Sequence, residues 1–269
     1  MKLGLEGRRA LIAGSSSGIG AAIAAMLATE GVDVLVHGRS LKNAEAVVAG
    51  IRASGGKASP LIAPLDDPKE VERLAGQALA TGPIDILINS AGATLSVHTW
   101  FDVPIENWQR QYQFSTIYAV QLIRALVPAM RERGWGRVLN ISTGGAFKPM
   151  AMHPEYSAAK LALHTLACSL SRELGDCGVT VNTLISGLVM TESTQAAIRS
   201  AAQAHGFTET GAALERRVLR DVWRSTITLG RAAKVEELAA AACFLVSEHA
   251  AYITGASLRV DGGGAGYVN

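Results

Sequence analysis

The chain has 269 residues, 49% of them hydrophobic and 18% charged, with a formal net charge of +2. That composition excludes a disordered chain and lacks the concentrated basic surface that nucleic-acid binding requires. No apolar run reaches the roughly 18–20 residues of a membrane span: residues 238–246 read as a buried helix, and Glu6, Arg8 and Arg9 interrupt the start before a secretory signal could form.

In chain order, the spacing predicts a strand at 9–13, a glycine-rich turn and a helix at 18–30, then a strand at 32–37 and a helix at 41–53. A strand at 58–65 and a helix at 68–80 follow, then a strand at 84–89 that ends in Asn89-Ser90-Ala91-Gly92. A long helix is expected at 105–133, with Pro128 placed to bend it. The series closes with strand 138–142, helix 154–175, strand 179–185, helix 234–247 and strand 257–260. Strands that are continuously apolar are buried on both faces, so the expected class is α/β, a doubly wound parallel sheet covered by helices. No linker divides the series, and one domain spanning 1–269 is expected.

Residues 190–231 break this rhythm at the carboxyl end of the sixth strand. They carry Arg199, His205, Arg216, Arg217, Arg220 and Arg224. Two readings stand: a lid over substrate, or a solvated helix pair with its basic residues in water. Cys168, Cys177 and Cys243 are too few for a disulfide scaffold and read as reduced thiols of a cytoplasmic protein.

Gly14-Ser15-Ser16-Ser17-Gly18-Ile19-Gly20 directly follows the first strand and opens a helix. Glycines there let backbone approach a pyrophosphate, while the helix start offers free N–H groups and a favourable dipole. A dinucleotide lacking a 2′-phosphate meets a carboxylate after the second strand. This chain has His37-Gly38-Arg39-Ser40, and a guanidinium beside a hydroxyl suits a phosphate, which favours NADP(H) over NAD(H). Tyr156 and Lys160 stand four apart on one helix face, where the ammonium is expected to lower the phenol's pKa.

Gly14-x-x-x-Gly18-x-Gly20, Asn89-Ser90-Ala91-Gly92, Tyr156-x-x-x-Lys160, Ser186-Gly187 and Asp261-Gly262-Gly263, in that order, resemble the short-chain dehydrogenase/reductase family over about residues 7–263. The likeness is greatest to the single-domain branch that includes 3-oxoacyl-carrier-protein reductases. It implies a Rossmann-type sheet of seven parallel strands and hydride exchange between nicotinamide and a carbonyl or secondary alcohol. Tyr156 would be the acid, Lys160 its partner, and Thr143 the hydroxyl that polarises the carbonyl, with the adjacent Ser142 as fallback. Ser115 falls where the family has a water-holding asparagine. For the cofactor the resemblance implies Gly14, Ser16, Ser17, Gly18, Ile19 and Gly20 at the pyrophosphate, and Arg39 and Ser40 at the 2′-phosphate. Leu65 would serve the adenine through its N–H because Pro64 offers no donor, with Asp66 as the substitute if the alignment slips. Asn89, Ala91 and Gly92 would line the adenosine side, and Gly187, Val189 and Thr191 the nicotinamide side.

The six histidines show no metal-binding spacing. His98 and His153 are either substrate contacts or structural, and Trp100 with Phe101 forms either an apolar wall or loop packing. The helices around Leu163 and Leu122 are apolar nearly all round, more than one sheet face covers, so a homodimer or homotetramer is expected. Two functions are carried forward. One is an NADP(H)-dependent carbonyl reductase or alcohol dehydrogenase, and the other a catalytically weak nucleotide-binding sensor or assembly protein on the same fold. A basic segment at 190–231 suits an acidic substrate, whereas Trp100, Phe101 and Trp223 suit a hydrophobic ketone.

Overall fold

Seven apolar segments pair into one parallel sheet in a computed structural model that describes residues 2–92 and 98–266. The strands are β1 (Arg9–Ala13), β2 (Asp33–Gly38), β3 (Lys57–Ile62), β4 (Ile86–Asn89), β5 (Gly136–Thr143), β6 (Val179–Ser186) and β7 (Ser257–Val260). Their spatial order is β3-β2-β1-β4-β5-β6-β7. Successive side chains leave a strand on opposite faces, so each strand feeds two cores. Ala10 and Ile12 of β1 pack on the face covered by α1 (Gly18–Thr29), α2 (Leu41–Ala53) and α9 (Val235–Leu245). Leu11 and Ala13 pack on the other, under α3 (Pro68–Ala80), α5 (Tyr118–Glu132) and α6 (Pro154–Leu174). The doubly wound parallel sheet is as expected, with element ends displaced by one to three residues.

The long helix departs from expectation. It forms as α4 (Ile105–Tyr112), one π-helical turn (Gln113–Ile117) and then α5, which runs through Pro128 without breaking. The irregularity begins at Gln113, fifteen residues before Pro128, in a turn that is wound wider than an α-helix and packs against α6. Ser115 lies in that turn.

In an open parallel sheet the ligand crevice lies beyond the carboxyl ends of the strands, where the order reverses. Here that point is between β1 and β4. Residues 190–231 supply α7 (Glu192–Ala204), α8 (Gly211–Arg217) and a second π turn (Val218–Val222). They leave and return through one stem, with Met190 N–H donating to Ala233 at 2.8 Å and Ala233 N–H to Leu188 at 2.9 Å. Ile198, Ala202 and Val218 give the segment a small core of its own.

Candidate active site

The carboxyl ends of β1, β2 and β4 open into a cleft of about 280 Å³. Its floor is the turn after β1. Gly14 has φ of 80°, and a Cβ there would stand 2.6 Å from Ala91 Cα; one on Gly20 would stand 2.2 Å from the Gly14 carbonyl. The turn therefore needs glycine at both places. Ser16, Ser17 and Ile19 also line the cleft, and Ser17 caps α1 without a side-chain bond, leaving the helix-start N–H groups for a ligand. Arg39 and Leu65 form one wall, Ala91 and Gly92 the next, and Thr191 the far side. A glycine cradle at a helix N-terminus beside a free cation fits a phosphorylated dinucleotide. Arg39 makes no ion pair among the described residues; its guanidinium lies 5.7 Å from the centre of the Phe114 ring.

Several expected contacts lie off this lining. Asn89 is fully buried and its amide donates to Asn140 Oδ1 at 2.9 Å, so its side chain does not face the cleft and Ser90 lines it instead. The neighbouring strand β5 offers the Asn89 side chain this buried partner. Ser40 is the exposed N-cap of α2, its Oγ accepting from Asn43 N–H at 3.4 Å. Gly18 is the first residue of α1, and a Cβ there would meet only the Thr191 methyl at 3.7 Å. Gly187 packs on Asp261, 2.7 Å from where its Cβ would be, and Val189 bridges to Ala233.

His37, Gly38, Ser90 and Phe114 also line the cleft, although the sequence gives none of them a role there. His37 is the most constrained. Its Nδ1 accepts from Gly14 N–H at 3.1 Å, and Nε2 lies 3.0 Å from the Ala63 carbonyl, which only a ring N–H can satisfy. The neutral ring thus ties the glycine turn to the exit of β3, and burial lowers its pKa to about 4. The unfolded chain takes up this proton near the ordinary 6.5 and the native one only near 4. The stabilisation is complete above the higher value and lost as pH falls towards the lower, by up to about 3 kcal/mol. Urea unfolding at neutral pH and at about pH 5 should show this slope, and His37→Gln should flatten it.

The second half of the site is carried by α6. Pro154 opens the helix after His153, which has φ of 59° and whose N–H donates to His98 O at 3.1 Å. Tyr156 and Lys160 follow on one face. The Thr143 hydroxyl, at the end of β5, is close enough to the Tyr156 phenol to favour its ionised form. Lys160 is buried and its Nζ donates to the carbonyls of Ile141 (3.0 Å) and Ala91 (3.2 Å), joining this helix to the cleft. Burial lowers the Lys160 pKa to about 8.

Two expectations are corrected here. The Tyr156 phenol is pushed up, not down: burial dominates, the nearby Thr143 hydroxyl only partly opposes it, and the Lys160 ammonium is engaged by two carbonyls. Ser142 does not share the place of Thr143. Adjacent strand residues face opposite ways, and Ser142 Oγ donates to the Lys160 carbonyl at 3.1 Å. Ser115 Oγ is buried without a partner, and next to it Thr116 Oγ1 donates to the Ala159 carbonyl at 2.7 Å, seating the π turn beside Lys160's turn of α6.

Trp100 packs against Trp108 with the rings tilted and 5.2 Å apart while remaining 63% exposed, and Phe101 is fully exposed; neither lines the cleft. Part of the basic character of 190–231 is neutralised: Arg217 pairs with Glu209 and Asp221, and Arg220 with Asp221. Among the described residues no cluster of three or more His, Cys, Asp or Glu could hold a metal ion, and no helix is long and apolar enough to cross a membrane.

Comparison with known proteins agrees with this geometry. Residues 13–265 match the family described as Enoyl-(Acyl carrier protein) reductase. D-beta-hydroxybutyrate dehydrogenase of Rhizobium meliloti is 31% identical, covering 95% of this chain and 98% of its own. Dehydrogenase/reductase SDR family member 4 of Bos taurus is 31% identical, covering 96% and 88%. The crystal structure of L-sorbose reductase from Gluconobacter frateurii, complexed with NADPH and L-sorbose, superposes with a TM-score of 0.90 at 30% identity over all of both chains. With its sheet order, glycine turn and Tyr156/Lys160 pair, this chain belongs to the short-chain dehydrogenase/reductase family of oxidoreductases.

Proposed function

We propose that the protein is an NADP(H)-dependent oxidoreductase that interconverts a carbonyl and a secondary alcohol. The observation that carries this reading is the buried Lys160, one turn after Tyr156 on α6, whose Nζ donates to the Ala91 carbonyl in the wall of the glycine cleft, with the Thr143 hydroxyl beside the phenol. A bound nicotinamide dinucleotide supplies or accepts the hydride. The chain's own residues do the rest. Thr143 holds the carbonyl oxygen, and the phenol of Tyr156, kept protonated by its burial, gives that oxygen its proton. Lys160 fixes Ala91 and the phenol's surroundings, while the unpartnered Ser115 Oγ is available to a water. Gly187, Val189 and Thr191 stand on the nicotinamide side, and the self-packed 190–231 segment covers the substrate.

Preference for the phosphorylated cofactor rests on Arg39, an exposed guanidinium on the cleft wall with no carboxylate after β2. A charge-assisted bond contributes about 1.5–3 kcal/mol. Arg39→Asp should therefore weaken NADPH binding by roughly ten- to a hundredfold and leave NADH nearly unchanged, read by titrating cofactor fluorescence. Equal losses for both cofactors would refute the assignment. The activity itself is tested by following NADPH loss across a panel of ketones, sugars and acyl thioesters. Silence throughout, with tight NADPH binding, would favour a sensor on the same fold. Half-exposed Ile117 and Leu161 on neighbouring helical segments support a homodimer or homotetramer, and free thiols at Cys168 and Cys177 a reducing cytoplasm. Sedimentation as a monomer would refute the first.

A further inference from the structure

One turn beyond Lys160, α6 carries a second polar side chain against the sheet. His164 has both ring nitrogens engaged, with Nε2 2.8 Å from Ser142 Oγ and Nδ1 2.7 Å from Ser257 Oγ. The polarity of this chain of bonds can be assigned. Ser142 Oγ donates to the Lys160 carbonyl, which can only accept, so its single proton is committed there. Ser142 must then accept from the His164 Nε2–H, and Nδ1 must accept from the Ser257 hydroxyl. The bonds run in one direction, from β7 through α6 to the end of β5 and back to the backbone of Lys160.

We propose that His164 is a positioning residue for the reaction: by holding Ser142 against the Lys160 carbonyl, it sets the spacing between Thr143 on β5 and the turn of α6 that presents Tyr156 and Lys160. The inference rests on the catalytic reading of Thr143, Tyr156 and Lys160 given above. Three observations support it. Ser142 immediately precedes Thr143, is 2% exposed, and is held a second time through its carbonyl, which accepts from Ser186 Oγ at 3.1 Å. Burial and the charge of Lys160 keep the ring neutral down to about 4, preserving the lone pair on Nδ1 through the working range. Phe147 meets the ring edge-on at 4.6 Å and fixes its plane.

The test compares His164→Phe, His164→Gln, Ser142→Ala and the double variant His164→Phe/Ser142→Ala. Phenylalanine keeps the ring and loses both bonds; the glutamine amide can still donate to Ser142. Turnover is counted per NADPH-binding site, alongside NADPH affinity and thermal stability. Misplacement of reacting groups by about an ångström costs roughly a hundredfold. His164→Phe and Ser142→Ala are each expected to lower kcat per site by about ten- to a hundredfold, with NADPH affinity unchanged. His164→Gln should restore most of it, and the double variant should be no worse than either single one. A merely structural histidine would lower stability and the number of active sites, leaving kcat per site at the wild-type value. That result, or additive losses in the double variant, would overturn the proposal. Tyr156→Phe run beside them separates the two failures: if it alone is inactive, only the role of His164 falls, whereas wild-type turnover in every variant means that the reading of the site falls too. Nitrogen-15 NMR of the unsubstituted protein decides the geometry without any substrate. The Nε2–H tautomer is expected at neutral pH, and the Nδ1–H tautomer would overturn the assignment.

Discussion

Tyr156→Phe should reduce turnover by about 10²–10⁴-fold and leave NADPH affinity within a factor of a few. The substitution removes one oxygen and keeps the ring, so the packing of α6 on the sheet is preserved. Two separate surfaces explain the expected split. The cofactor cleft is built from the β1 turn, Arg39 and the Ala91-Gly92 wall, and the phenol is not part of that lining. The phenol lies beside the Thr143 hydroxyl at the end of β5, and burial raises its pKa. A phenol that stays protonated through neutral pH is a proton donor in waiting, and in the oxidation direction it must first lose that proton. Carbonyl reduction should therefore persist across neutral pH and decline on the alkaline side, whereas alcohol oxidation should rise as pH rises. Initial rates in both directions, with NADPH affinity measured on the same preparations, check the prediction. Wild-type turnover in the phenylalanine variant would remove Tyr156 from the chemistry.

The sheet was legible because buried parallel strands require uninterrupted apolar runs, and segments such as Ala10–Ala13 or Ile86–Ile88 cannot hide them. The glycine turn and the Tyr156/Lys160 pair were legible for a similar reason: each is a local spacing with a local consequence. What escaped depends on contacts between distant residues. His37 joins Gly14 to Ala63, and no periodicity marks a histidine at a strand end as a brace. Ser142 is only the fallback for Thr143 in the sequence, and what separates them is the bonding of its hydroxyl to His164 and the Lys160 carbonyl. Asn89 likewise turned inward because β5 places Asn140 beside it. The sign of the Tyr156 shift was missed because four-residue spacing speaks of a neighbouring charge and says nothing of desolvation. The π turn at Gln113–Ile117 carries no proline or glycine, so nothing local announced it.

Gly14→Ala should disable the protein far more thoroughly than Gly18→Ala, its neighbour in the same turn. Both positions have positive φ, 80° and 57°, so an added Cβ costs about 1–2 kcal/mol of backbone strain at either. They differ in what the methyl meets. At Gly18 it finds only the Thr191 methyl at 3.7 Å, an ordinary contact. At Gly14 it would stand 2.6 Å from Ala91 Cα and 2.7 Å from Ala91 N, backbone atoms that cannot rotate away. Overpacking of this kind adds about 1–3 kcal/mol. It also forces apart β1 and the Ala91 wall that form the cleft and whose carbonyl Lys160 holds. Gly14→Ala should thus lose about 2–5 kcal/mol of stability, the sum of strain and overpacking, while Gly18→Ala should lose only the strain. NADPH affinity should fall steeply in the first and modestly in the second, and kcat should fall with it in the first because Lys160 moves with its carbonyl partner. Denaturant unfolding and cofactor titration on the two variants measure both quantities. Equal effects would mean that the approach of the turn to Ala91 is not what shapes the cleft.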